Sequence, residues 1–252
     1  MDRSRLEWNP GLWLDARRAV WIEGTRSLVV ADLHLGYVWA HRHEGQLLPI
    51  SVREDSTERL LALMHSYQPR EVVFLGDVVH RAVSAPALCA EITRLFAEVS
   101  ARSRPRIVLG NHDAHLPGLL AECGIVVKMG RQLQAGPHLL LHGDEPDDPE
   151  GISETFAAIG GGGRVIIGHE HPAISLSDGV ASRVKCPCFL SSSEVLVLPA
   201  FSRWAAGTDP RGGRFLSPFA RLTQFDRAIA ILAGKLLPVR YGHASSNAPY
   251  RQ

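Results

Sequence analysis

The chain has 252 residues, 45% of them hydrophobic, and its 27 basic and 26 acidic residues give a net charge of +1. This length can build a sizeable core, and we expect a single domain over residues 1–252. The balanced charge excludes a broad basic footprint for nucleic acid or membranes and leaves only a local basic patch open. No stretch approaches the roughly 20 apolar residues of a membrane span, and residues 1–10 lack the apolar segment of a signal peptide, so a cytoplasmic protein is expected.

The first half of the chain alternates apolar runs with segments of helical spacing. Residues 19–22 and 27–31 read as neighbouring strands around a turn at Gly24, and a polar loop carrying Tyr37, Trp39, His41, Arg42 and His43 follows. The elements expected next are a helix over 53–67, a strand over 71–75, a helix over 86–101, a strand over 106–109, a short helix over 117–123 and a strand over 124–129.

In the second half, strands pair with each other. The expected elements are strands over 138–141 and 164–167, a helix over 152–159, a flexible glycine turn over 160–163, paired strands over 184–190 and 194–198, and a hairpin over 228–232 and 236–239. Residues 202–218 lack periodicity and predict a long surface loop, and residues 243–252 predict a disordered tail. This order indicates an α/β fold with stacked sheets and helices outside.

The four cysteines, Cys89, Cys123, Cys186 and Cys188, do not have the spacing of a redox or zinc motif. We expect reduced, structural thiols, as in most cytosolic proteins.

Polar residues of metal-binding type follow apolar runs at several places. They are Asp32, His34, Asp77, Asn111, His112, His142, His169 and His171. Each motif alone is also typical of an ordinary turn, but ligands in layered α/β folds collect where strands end. Carboxylates, an amide oxygen and imidazoles suit two divalent first-row metals. Asp77, alone after a glycine, fits a bridge between ions about 3.5–4 Å apart.

The ordered set Asp32-x-His34, Gly76-Asp77, Gly110-Asn111-His112-Asp113, His142 and Gly168-His169-x-His171 resembles the calcineurin-like metallophosphoesterase superfamily. The resemblance implies a four-layer α-β-β-α sandwich. It also implies that Asp32, His34 and His171 hold one metal, that Asn111, His142 and His169 hold the other, and that Asp77 bridges them.

The same resemblance implies a hydrolytic mechanism in which a metal-activated hydroxide attacks the phosphorus. His112, as a histidine that is not a ligand, would be the general acid that protonates the leaving oxygen. Asp113 would orient its ring, since a carboxylate can fix the tautomer of an imidazole.

A narrower resemblance, to the ligase-associated DNA-damage-response phosphoesterases (the PdeM family), covers nearly the whole chain. It is carried by Val30-Ala31-Asp32-Leu33-His34-Leu35-Gly36, Leu75-Gly76-Asp77-Val78-Val79-His80, Gly168-His169-Glu170-His171-Pro172 and Leu198-Pro199-Ala200-Phe201. It implies manganese as the metal (with Fe, Zn or Co as alternatives), a phosphodiester or DNA end as the substrate, and association with a DNA ligase and a helicase.

Substrate contacts are assigned to Arg81, which follows the Gly-Asp motif where related phosphatases place a phosphate-binding arginine, to His80 beside it, and to Arg42. For Arg42 a solvated loop is the alternative. Trp204, Arg211 and Arg214 fit either nucleic-acid contacts or an ordinary surface or dimer loop.

Three other functions stay open. They are a phosphomonoesterase, a nucleotide pyrophosphatase and a non-catalytic binding scaffold. The sequence does not indicate the oligomeric state. The segment from Trp8 to Trp21 fits either a dimer surface or an edge strand.

Overall fold

The computed structural model describes residues 3–45, 56–81, 86–146, 148–157, 159, 161–177 and 179–241, so the expected tail at 243–252 lies outside the described residues. The strands are β1 Arg5–Asn9, β2 Leu12–Asp15, β3 Ala19–Ile22, β4 Ser27–Ala31, β5 Glu71–Leu75, β6 Arg104–Val108, β7 Lys128–Gly130, β8 Gln132–Ala135, β9 His138–Leu141, β10 Val165–Ile167, β11 Ala173–Ser177, β12 Arg183–Ser191, β13 Val195–Val197, β14 Arg227–Leu232 and β15 Lys235–Arg240. The helices are α1 Tyr37–His43, α2 Ser56–Tyr67, α3 Pro86–Ser100, α4 Leu116–Glu122, α5 Pro149–Ala157 and α6 Pro218–Leu222.

The first sheet has the order β1-β2-β3-β4-β5-β6-β7. Its first four strands are antiparallel, whereas β4 to β7 run parallel. Ala31 pairs with Leu75, and Leu75 pairs with Val108. The last residues of β4, β5 and β6 therefore lie side by side, and the polar turns that follow them meet at one edge.

The second sheet has the order β15-β14-β12-β13-β10-β9-β8, with β11 paired to β12. Strand β10 runs parallel to β9 and β13, and the other pairs are antiparallel. Because β9 and β10 are parallel neighbours, the histidines that follow them reach the same end of the sheet.

The two sheets face each other across a shared apolar layer to which Val29 and Val73 contribute from one sheet and Ile166 and Leu196 from the other. Side chains of α2, α3 and α4 pack on the outer face of the first sheet, whereas α5 and α6 pack on the outer face of the second. Burying one such side chain, for example the fully enclosed Phe74, contributes about 1.5–3 kcal/mol. The predicted four-layer α-β-β-α sandwich is confirmed.

The prediction of a loop at residues 37–43 was wrong, because this segment is helix α1. Gly36 turns the chain with φ 73°, Ala40 is buried, and the basic residues lie in the last turn, where they interact favourably with the helix dipole. This seven-residue segment, with apolar residues at its start and basic residues at its end, gave too little periodicity for recognition.

The prediction of a strand over 124–129 was too long. Gly124, with φ 69°, ends α4, and the chain joins the sheet only at Lys128. The Trp-rich N-terminal segment forms β1 to β3, with β1 at the edge of the sheet and Trp8 Nε1 donating to Ser191 Oγ at 2.8 Å.

The expectation of four reduced thiols was wrong for one pair, because Cys89 and Cys123 form a disulfide. The packing of α3 against the end of α4 brings their Cα atoms to 5.8 Å, within the range that a disulfide spans. Cys186 and Cys188 are free and buried.

Candidate metal centre

The turns that follow β4 and β5 are joined by backbone hydrogen bonds. Asp32 N donates to Gly76 O at 3.1 Å, and His34 N donates to Asp77 O at 2.9 Å. The side chains of Asp32, His34 and Asp77 are thereby held together at the carboxyl edge of the first sheet, and all three are buried.

One group of possible ligands combines these turns with the histidine that follows β10. Asp32, His34, Asp77 and His171 each offer an atom within 4.8 Å of the others. Nε2 of His171 lies 3.3 Å from His34 Nε2 and 3.3 Å from Asp32 Oδ1.

A second group shares Asp77 with the first. It consists of Asp77, His142 and His169, whose donor atoms also lie within 4.8 Å of one another. His142 Nε2 lies 3.2 Å from His169 Nδ1 and 3.2 Å from Asn111 Oδ1. The structure thus brings together all seven residues to which the sequence assigned a metal, with Asp77 common to both groups.

The chemistry of this donor set fits divalent cations. Burial lowers the pKa of His34 to about 3, and the neighbouring His171 adds to the shift although Asp32 opposes it. Burial likewise lowers the pKa of His169 to about 4. The ring nitrogens of His34 and His171, and those of His142 and His169, face each other at 3.2–3.3 Å, close enough for both nitrogens of a pair to bind one cation.

The pKa values of the two carboxylates, Asp32 and Asp77, shift in opposite directions. Burial alone would raise the pKa of Asp32, but the charges of His171, His142 and His34 outweigh it and lower the pKa to about 2. For Asp77, burial and the nearby Asp32 raise the pKa against the effect of His142. Two buried carboxylates side by side are the setting in which bound cations supply the missing positive charge.

Glycines make room for this packing. A Cβ at Gly76, whose φ is 75°, would lie 1.9 Å from His142 Nδ1, and a Cβ at Gly110 would lie 2.4 Å from Asp77 Oδ1. The glycines before Asp77 and Asn111 are therefore steric requirements of the cluster.

The backbone is strained at most of the candidate ligands. Asp32, His34, Asp77, His169 and His171 all have left-handed φ values, between 44° and 65°. Residues other than glycine rarely adopt this conformation, and such strain collects at functional sites.

The structure corrects the role assigned to Asp113. Its carboxylate accepts hydrogen bonds from Val78 N and Gly110 N, both at 3.0 Å, and so points back into the turn. Nδ1 of His112 instead lies 3.0 Å from the carbonyl oxygen of His80. The His80 carbonyl, and not Asp113, therefore orients the candidate acid. The reason is local, since Asp113 caps the 3-10 turn that begins at Asn111.

The three residues predicted to contact the substrate lie in different settings, and their roles stay predictions. Arg81 forms an ion pair with Glu44 on the surface, with 62% of its side chain exposed. His80 is half-buried and its ring lies 5.5 Å from that of His34. Arg42 lies in α1, where its Nε is buried without a hydrogen bond in the described part of the chain.

A stack of rings beside the centre was missed by the sequence interpretation. The Trp204 and Tyr37 rings stack at 5.3 Å, Tyr37 and His41 stack at 4.1 Å, and His41 and His80 stack at 5.2 Å. Trp204 therefore packs against α1. Arg211 is also engaged within the chain, by Asp209. Only the unusual number of rings in residues 37–43 pointed to this stack.

Glu170, between the two histidines of the last motif, was also missed. It is buried, and its carboxylate accepts a hydrogen bond from Ser217 N at the start of α6. Burial raises its pKa. It ties the end of the 202–218 segment to the turn that carries His169 and His171.

Comparison with known proteins supports the same family. Residues 25–136 match the model of the family described as calcineurin-like phosphoesterase. No curated protein matches the sequence.

The solved structures with a similar fold include a nuclease and a phosphoesterase. The nuclease MPE of Pseudomonas putida is 24% identical with a TM-score of 0.66, and the match covers 93% of this chain and 98% of that protein. YfcE, a phosphoesterase from E. coli, is 18% identical with a TM-score of 0.42, covering 85% of this chain and 98% of that one. Residues 25–136 of the chain are thus similar to the calcineurin-like phosphoesterase family, and the chain has the metallophosphoesterase fold.

Proposed function

We propose that this protein is a two-metal-dependent phosphodiesterase. The observation that carries the proposal is the pair of donor groups that share Asp77, because a carboxylate common to two clusters is the feature that holds two cations close together. The first ion would be held by Asp32, His34 and His171, and the second by Asn111, His142 and His169.

Two divalent ions would supply activation of water and neutralisation of charge on the phosphoryl oxygens. The chain itself supplies the proton. The side chain of His112 is 42% exposed, and its Nε2 lies 4.0 Å from Asp77 Oδ2, at the rim of the cluster. Since Nδ1 is engaged by the His80 carbonyl, Nε2 is the atom that would protonate the leaving oxygen.

DNA is the proposed substrate, manganese the proposed metal and DNA repair the proposed setting, with Fe, Zn or Co as alternative metals. The similar fold of a protein described as a nuclease motivates the DNA substrate. Association with a DNA ligase and a helicase and a cytoplasmic location belong to the same proposal. None of the described helices has the length and apolarity that crossing a membrane requires.

The test is hydrolysis of bis-p-nitrophenyl phosphate and of p-nitrophenyl phosphate by metal-stripped protein supplied with Mn²⁺, Fe²⁺, Zn²⁺ or Co²⁺. We expect the diester to be hydrolysed with Mn²⁺, and the Asp77→Ala variant to lose this activity and bind fewer ions. Preference for the monoester would make the protein a phosphomonoesterase.

Two further outcomes separate the remaining alternatives. Hydrolysis of dinucleotide pyrophosphates in preference to any diester would identify a nucleotide pyrophosphatase. Absence of bound metal together with absence of hydrolysis would leave the non-catalytic scaffold.

A further inference from the structure

The two sides of the candidate metal centre differ in charge. On the side of His142, a cavity of about 410 Å³ is lined by Asp144, Glu145 and Asp148, and Arg131 is the cation among them. That arginine lies 4.0 Å from Asp144 and 3.8 Å from Glu145, so its charge is already balanced. A polyanionic substrate would be repelled from this side.

On the side of His171, a second cavity of about 270 Å³ has cationic walls. Arg18, Lys185 and Arg203 line it, and no acidic residue is among its described lining residues. Because His171 is itself part of the lining, this cavity opens directly beside the first group of ligands.

The walls of this cavity are fixed to the ligand turns by backbone hydrogen bonds. Phe201 N donates to Ala31 O at 2.7 Å, and Ser202 N donates to Asp32 O at 3.1 Å. On the other wall, Thr208 N donates to His171 O at 3.0 Å. The segment that carries Arg203 is therefore held in register with the two turns.

Two of the cations are also set in place by the chain. Nη1 of Arg18 donates to Ser202 O at 2.6 Å and so holds the segment that carries Arg203. Nζ of Lys185 donates to Gly207 O at 2.6 Å. Gly207 has φ 69°, and a Cβ there would lie 2.5 Å from His171 O, so this close approach of the wall to the ligand turn depends on glycine. An ammonium bound to one carbonyl keeps two N–H donors for a ligand.

We propose that this cavity, defined by Arg18, Lys185 and Arg203 beside His171, binds a second phosphate group of the substrate, next to the phosphate that is hydrolysed. This inference rests on the proposed phosphodiesterase function and sharpens it. The preferred substrate is then a phosphodiester flanked by another phosphate, as within a nucleotide chain, and not an isolated diester. Lys185 and Arg203, which are exposed, make the contacts, whereas Arg18 is a positioning residue.

The test uses two matched pairs of chromogenic diesters. One pair is the 5′-(p-nitrophenyl phosphate) of thymidine with and without a 3′-phosphate, and the other is the 3′-(p-nitrophenyl phosphate) with and without a 5′-phosphate. The members of each pair differ by one phosphate, and the two pairs cover both directions along a chain. The readout is the ratio of kcat/KM within a pair, measured with Mn²⁺ at one ionic strength because exposed charges are screened by salt.

We expect the wild-type protein to favour the phosphorylated member of at least one pair by about tenfold or more, the factor supplied by one hydrogen bond to a charged group. Lys185→Ala and Arg203→Ala should each bring this ratio down toward one. The matched controls are Lys235→Ala, at the start of β15, and Arg104→Ala, at the opposite end of β6 from the centre. Both controls should retain the wild-type ratio.

The two ways of failing are distinct. Hydrolysis of all four diesters with ratios near one, or with ratios that Lys185→Ala and Arg203→Ala leave unchanged, overturns the second phosphate site and leaves the phosphodiesterase intact. Hydrolysis of none of them under any metal overturns the proposed function itself.

Discussion

His112 Nδ1 lies 3.0 Å from the carbonyl oxygen of His80, while His112 Nε2 faces the shared carboxylate of Asp77. A carbonyl oxygen can only accept, so Nδ1 carries a proton in both the neutral and the charged ring. The second proton of the imidazolium is then on Nε2, on the side of the metal cluster, which is the arrangement that a general acid requires.

The loss of kcat caused by replacing His112 should therefore depend on the leaving group of the substrate. For His112→Ala we expect a loss of about 10²–10⁴-fold in kcat for a diester with a nucleoside leaving group. The loss should be much smaller for p-nitrophenolate, which leaves without a proton. The measurement is kcat for both substrates at equal metal content, and an equal loss for both would contradict the acid assignment.

Asp113 should behave as a structural residue. Asp113→Ala leaves Val78 N and Gly110 N without their partner, at a cost of about 1–3 kcal/mol each in the free energy of unfolding. Urea unfolding measures this cost, and Glu23→Ala, at an exposed carboxylate, is the control within about 0.5 kcal/mol of wild type. If Asp113 oriented His112 instead, Asp113→Asn would reproduce the leaving-group dependence of His112→Ala.

Gly76→Ala should disrupt the second ligand group. The new Cβ would overlap the His142 ring, and the left-handed φ of residue 76 adds strain, so we expect lower stability and fewer than two bound Mn²⁺ ions per chain. Gly24→Ala is the matched control, because a methyl group at that position would meet no other atom within 4 Å and the φ of Gly24 is not left-handed. Two tightly bound ions in Gly76→Ala would contradict the steric requirement for glycine at this position.

Metal affinity should fall as the pH falls. Burial lowers the pKa of His142 and of His171, but Asp32 and other acidic neighbours outweigh it, so both pKa values lie above the ordinary 6.5 in the metal-free protein. A bound metal needs both imidazoles unprotonated, and below these pKa values protons compete with it. Between pH 8 and pH 6 the affinity for Mn²⁺ should weaken by up to about tenfold per pH unit for each displaced proton.

Isothermal titration in buffers of different ionisation enthalpy measures both this affinity and the number of protons released. An affinity for Mn²⁺ that is the same at pH 8 and pH 6 would be inconsistent with these shifts.

The sequence was most informative where an apolar run ends in a polar motif. Strand β5 could be predicted because residues 72–75 form a continuous apolar run that is buried on both faces, and Asp77 follows after one glycine. The edge strand β1 could not, because its alternating exposed and half-buried residues resemble a polar loop.

The direction of a side chain was harder to predict than its position. Asp113 was placed at the site, but its target depends on how the 3-10 turn packs against Val78, which is 35 residues away. Lys185 and Arg203 lie outside every motif. Arg203 reaches the site because the segment after β13 returns along the end of β4, and Lys185 because β12 pairs with β11, which follows the turn of His171. Contacts of this kind depend on tertiary structure and carry no local signal.

The left-handed backbone of His34 lowers the stability of the fold, whereas the proposed metal site requires the imidazole at this position. In most positions alanine is more stabilising than glycine, but at φ 47° the order should reverse by about 1 kcal/mol, so metal-free His34→Gly should unfold at higher urea than His34→Ala. Neither variant keeps the imidazole. A population selected for thermal stability alone would therefore tend to exchange these ligands for glycine, and the presence of five such residues in one chain indicates a requirement other than stability.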